Sequence, residues 1–122
     1  MSSESFPRAC RLTRRADFLR VQRGGRRLHL AHFVIYMARQ PTGVSWSTRI
    51  GVTVTRKVAG AVGRNRIKRL VREVFRRGRT GLPAGLDVVW VAKRNASEVA
   101  YCDVERGLAT LGQRLAAGVG GG

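Results

Sequence analysis

Acidic side chains are scarce in this sequence of 122 residues: Glu4, Asp17, Glu73, Asp87, Glu98, Asp103 and Glu105 are all it has. They are scattered, and the only histidines, His29 and His32, read as lying on one strand at a spacing that sends them to opposite faces. Catalysis by the chain's own side chains needs a carboxylate cage for a metal or a positioned acid and base. Neither is apparent, so no catalytic residue and no protein-bound metal is expected. Cysteine is nearly absent as well. Cys10 and Cys102 lie far apart with no C-x-x-C spacing, which argues against a zinc site and a disulfide framework and suits ordinary thiols in a reducing compartment. No apolar run approaches the roughly 18 residues of a membrane span, and no signal peptide or lipidation signal is present. A cytoplasmic protein with no membrane partner is the expectation.

What is abundant is arginine. Of 24 Lys and Arg residues only Lys57, Lys68 and Lys93 are lysines, and the formal net charge is +17. The chain is also rich in Ala, Gly and Val, so genome base composition is one source of the bias; chemically, guanidinium forks suit phosphate and stack on bases. So large a charge opposes compaction unless a polyanion is bound, which makes nucleic acid the natural partner. The length holds one core. It is divided here into a flexible basic arm over residues 1–11, broken by Pro7, a single domain over 12–116, and a Gly-rich tail over 117–122.

Along the domain, Thr13 is placed to cap a short helix carrying Phe18 and Val21, with Gly24 and Gly25 as its stop. A short strand around Leu28 to Leu30 follows, then one over Phe33 to Ala38. In the latter, alternation sends Phe33, Ile35 and Met37 to one face and Val34, Tyr36 and Ala38 to the other. Both faces are apolar, so both should be covered or used. Gln40 to Thr48 reads as a loop and Ile50 to Thr55 as a half-buried strand. Arg64 to Arg77 is the clearest helix, because Ile67, Leu70, Val71, Val74 and Phe75 repeat at helical spacing. A Gly-Pro turn region over Arg79 to Gly85 leads to a buried strand, Val88 to Ala92, and Val104, Leu108, Leu111 and Leu115 mark a last helix. The order αβββαβα describes an α/β, or α+β, sandwich: a small mixed sheet packed with helices. If the strands flanking the Arg64 helix are parallel neighbours, the default crossover is right-handed.

On the Arg64 helix, steps of about 100° group Asn65, Lys68, Arg69, Arg72 and Arg76 opposite the apolar stripe. One face packs and the other can touch phosphate. Arg56 to Arg79 holds ten basic residues and one acid, Glu73, a charge patch rather than a surface of alternating sign. Phe18 and Tyr36 read either as core packing or as an aromatic platform beside it, the pairing that holds single-stranded RNA.

The run Gly63-Arg64-Asn65-Arg66-Ile67-Lys68-Arg69-Leu70-Val71-Arg72-Glu73-Val74-Phe75-Arg76-Arg77 strongly resembles the "RNR" helix of the ribonuclease P protein family. The resemblance continues through Arg49-Ile50-Gly51-Val52-Thr53-Val54-Thr55-Arg56-Lys57-Val58, Leu12 to Phe18, Phe33 to Tyr36, and Asp87 to Tyr101. It implies a four-stranded sheet with a left-handed β-α-β crossover, contrary to the default. It also implies an accessory subunit that assists a catalytic RNA in removing the 5′ leader of precursor tRNA, with magnesium held by the RNA and no protein oligomer required. Carried over by position, Arg64, Asn65, Arg66, Lys68, Arg69 and Arg72, with Arg76, Arg56 and Lys57 beside them, would meet the catalytic RNA. Phe18, Val34 and Tyr36, with Lys68 and Arg72, would line a cleft for the leader. Where the family often has a second aromatic four residues after Phe18, this sequence has Gln22, which implies weaker or differently specific stacking.

Three other readings use the same basic helix. A ribosomal or tRNA-binding module would carry no enzymatic role, a DNA binder would read the major groove, and a protein-only nuclease would need the acid cluster that the sequence lacks.

Overall fold

The computed structural model describes residues 11–41, 48–78, 82 and 85–118. Most of the expected arm and tail, and most of the loop and turn read over 40–48 and 79–85, lie outside the described residues. The elements are α1 (Arg15–Gly24), β1 (Arg26–His29), β2 (Phe33–Arg39), β3 (Arg49–Thr53), α2 (Ala61–Gly78), β4 (Leu86–Ala92), a 3₁₀ helix (Arg94–Glu98) and α3 (Tyr101–Gly118). The strands form one mixed sheet in the order β1-β2-β4-β3. β1, β2 and β4 pair antiparallel, while β3 and β4 are parallel neighbours joined through α2. This is the αβββαβα sandwich that the sequence describes.

Register and alternation give the sheet two different faces. Leu28, Phe33, Ile35, Ile50, Val52, Val88, Trp90 and Ala92 face the main core, where they meet Ile67, Val71, Val74 and Phe75 of α2 and Val104, Leu108, Leu111 and Leu115 of α3. Phe33 and Trp90 meet edge to face there, with ring centroids 5.2 Å apart. The opposite face carries Tyr36, Ala38, Val89 and Val91, and α1 packs on it through Phe18 and the fully buried Val21. Both apolar faces of β2 are therefore used.

Several boundaries differ from the sequence reading. Thr13 does not cap α1; the helix begins after Arg14, which makes no side-chain capping bond. Leu12 is buried and its N–H donates to the Ile50 carbonyl at 2.8 Å, so tertiary pairing of the incoming chain fixes the start. β1 ends at His29, because the Leu30 N–H turns back to the Phe33 carbonyl. His29 thus closes β1 while His32 lies in the connection, and the two do not share a strand. α2 starts three residues before Arg64, with the Arg64 N–H bonded to the Gly60 carbonyl. Its first turn carries no periodic signal because Val62 is exposed. The 3₁₀ helix is too short to show a period of its own. α3 begins at Tyr101, where the Asp103 carboxylate accepts from the Ala100 N–H at 2.9 Å, half of a capping box.

Candidate nucleic-acid interface

The polar side of α2 forms one wall of a groove of ≈ 330 Å³ lined by Asn65, Lys68, Arg69, Arg72, Glu73 and Arg76, with Arg11 opposite. The apolar stripe, docked on the core, turns these side chains outward. Arg11 arrives because its backbone bridges to Ile50 alongside β3. Adjacent residues of an extended segment point opposite ways, so Leu12 goes under α1 while Arg11 faces α2. The expected arm thus contributes a groove residue, a role its lack of periodicity does not reveal.

Like charges crowd the groove. Arg72 is half-buried, and desolvation first, then the nearby Arg11 charge, push its guanidinium below its ordinary value. It stays cationic, as guanidinium does in proteins, so the groove concentrates positive charge in a partly dry place. An anion relieves both effects. At the helix's far end the patch is less uniform than its composition implied. Glu73 accepts from Arg76 Nε at 3.1 Å and Nη2 at 2.8 Å, and from Arg77 Nε at 2.9 Å. Those bonds, the Arg76 bond foremost, hold the Glu73 carboxyl below the usual carboxylate range. The cationic centre is therefore Lys68, Arg69 and Arg72.

The three residues of the Arg-Asn-Arg run do not act together. Asn65 lines the groove. Arg64 donates to the Ala59 carbonyl at 3.1 Å, tying the first turn of the helix to the approach from β3. Arg66 donates to the Ser97 carbonyl at 3.0 Å and faces the 3₁₀ helix. Steps of about 100° explain the split: neighbours on a helix cannot share one face. Arg56 and Lys57 are exposed in the turn that ends at Val58, whose N–H bonds the Thr55 carbonyl.

A second feature lies on the α1 face of the sheet. The register aligns Gly51, Val89, Tyr36 and Arg27 in one row and Thr53, Val91, Val34 and His29 in the next. α1 covers the first row, with the Phe18 ring seated on Gly51. In the second row Thr53, Val91 and Val34 are half-buried and His29 is exposed. Phe18, Tyr36 and Val34, the residues for which the resemblance implies a leader cleft, all lie on this α1 side of the sheet and are half-buried. Lys68 and Arg72 line the groove across the Arg11–Leu12 segment, so the expected site is two surfaces sharing one connecting strand.

The layered α+β fold thus carries a cationic helix face on one side and an apolar surface with Phe18 and Tyr36 on the other. The ribonuclease P family profile matches residues 6–116. The ribonuclease P protein component of Desulfovibrio desulfuricans is 42% identical over 114 residues, 91% of this chain and 86% of the relative. That of Thermotoga maritima is 40% identical over 96 residues, 79% of this chain and 80% of the relative. Among solved structures, the Thermotoga maritima RNase P protein superposes with a TM-score of 0.74 at 34% identity, covering 85% of this chain and 96% of that one. A Staphylococcus aureus RNase P protein gives 0.72 at 27% identity, covering 83% and 90%. The chain belongs to the ribonuclease P protein family.

Proposed function

We propose that this chain is the protein subunit of a bacterial ribonuclease P, binding the catalytic RNA through the α2 groove and the 5′ leader of precursor tRNA through the α1 cleft. The observation that carries this reading is the convergence of Arg11, Lys68, Arg69 and Arg72 on one groove. Cations there replace condensed counterions on the RNA, so part of the binding free energy is the entropy of ion release. The α1 side of the sheet adds Phe18 and Tyr36, on which stacking of an unpaired leader contributes without reading sequence.

In this reading the RNA carries the chemistry and the magnesium. Among the described residues no three His, Cys, Asp or Glu side chains come together. Asp17 and Asp87 are both engaged by Arg20. The groove screens phosphate repulsion between enzyme RNA and substrate, and the cleft holds the leader in line. None of the described helices is long and apolar enough to cross a membrane.

The test is reconstitution. Adding the protein to a matched catalytic RNA at low magnesium should raise the rate of 5′ leader removal, and an unchanged rate rejects the assignment. Equal binding of precursor and mature tRNA with no rate gain would instead mark a tRNA-binding or ribosomal module. Tighter binding to duplex DNA than to structured RNA at equal salt would mark a DNA binder.

A further inference from the structure

Asp87 is the only charged residue of β4, lies on the α1 face of the sheet and is fully buried. A carboxylate there must be paired, since an uncompensated buried charge is strongly destabilising. Arg49 of β3 supplies a fork-to-fork pair, Nε to Oδ1 at 2.7 Å and Nη2 to Oδ2 at 2.7 Å. That pairing alone satisfies both oxygens. Yet Arg20 of α1 also donates Nη2 to Asp87 Oδ2. The same nitrogen lies 3.4 Å from Asp17 Oδ1, and Nη1 donates to the Arg39 carbonyl of β2 at 3.1 Å. One guanidinium thus ties α1 to two strands.

The helix needs such a tie. α1 is ten residues long, too short to persist alone. Its start has no side-chain cap, and its only fully buried apolar anchor is Val21. Viewed down the axis, Phe18 and Gln22 lie roughly 160° and 200° from Arg20. A helix anchored at Arg20 on one flank therefore fixes what the other flank presents to the cleft.

We propose that Arg20, seated on Asp87, is a positioning residue of the leader cleft: it sets the rotation of α1 on the sheet and so the placement of Phe18 on Gly51, in the row that also holds Tyr36. The inference rests on the cleft reading above. Arginine suits the task because its planar fork reaches the carboxylate and the Arg39 carbonyl together, which a compact ammonium does not do in a fixed plane.

The test uses Arg20→Met, which leaves Arg49 to satisfy Asp87, in the holoenzyme reconstituted with matched catalytic RNA. The expected result is a several-fold higher KM for precursor tRNA at unchanged kcat, unchanged affinity for mature tRNA, and faster amide hydrogen exchange confined to α1. Arg20→Lys should restore part of the KM. An Arg20→Met protein with wild-type KM and wild-type α1 exchange overturns the proposal. So does weakened RNA assembly with α1 exchange unchanged, which would make Arg20 a direct RNA contact. A wild-type holoenzyme that binds precursor and mature tRNA equally would overturn the cleft reading itself, and with it any role of Arg20 in substrate binding, even if α1 exchange still quickened.

Discussion

The ring of Phe18 rests on the α-carbon of Gly51: a β-carbon at position 51 would stand 2.5 Å from Phe18 Cζ and 2.6 Å from Cε1. Only glycine permits that approach. Gly51→Ala must push the ring off the sheet, and overpacking of this kind costs about 1 to 3 kcal/mol. Urea unfolding should show the loss, and precursor binding measured in parallel should weaken with it. A variant as stable as wild type would show that the ring is not seated there.

Arg72→Ala should weaken assembly with the catalytic RNA and flatten its salt dependence. Each phosphate left without its cation lowers the slope of log K against log salt by about 0.9 for a duplex or 0.7 for a single strand. The residue is half-buried beside Arg11, so the unbound protein should tolerate the change or gain slightly in stability. An unaltered slope means that Arg72 touches no phosphate.

Tyr36→Ala should reduce affinity for precursor tRNA by about 1 to 3 kcal/mol, the range for a stacked base, and leave mature tRNA unaffected. Equal losses for both substrates would mean that the tyrosine acts only in packing. Filter binding with leaders of graded length separates the two.

Glu73 sits where the cationic wall meets its own counter-charge. Its carboxyl is held low, chiefly by the Arg76 hydrogen bond. A depressed folded value means that the cluster's contribution is present above the ordinary carboxylate range and disappears as pH falls through the depressed value. The stability gap between wild type and Glu73→Gln should therefore exist at neutral pH and close on acidification; a gap that persists in strong acid would reject the linkage. The gap is small, because the side chain is 37% exposed and water screens the pair. The same substitution should tighten RNA binding and steepen its salt dependence.

The fold was largely legible because its signals are local. The stripe from Ile67 to Phe75 and the alternation of Phe33 to Ala38 each specify an element and its buried side. The same periodicity placed Asn65, Lys68, Arg69, Arg72 and Arg76 on one face, and the groove gathers those five. What escaped depended on distant partners. Arg11 joins the groove only because Leu12 pairs with Ile50, 38 residues away in sequence. The 100° step separates Arg64 from Arg66, but the Ala59 and Ser97 carbonyls they reach carry no sequence signal. The Arg20–Asp87–Arg49 network did leave a trace: one acid at the start of an otherwise apolar strand is costly unless the fold supplies cations.

The bridge between Arg11 and Ile50 also closes a margin of the sheet. β3 is an outermost strand, and the incoming chain occupies part of its outer ladder. At the other margin β1 is only four residues long and shows Arg26, Arg27 and His29 to solvent. Brevity and outward charge are how exposed strands refuse recruits. Both margins of the sheet thus carry features that oppose strand addition between copies of the chain.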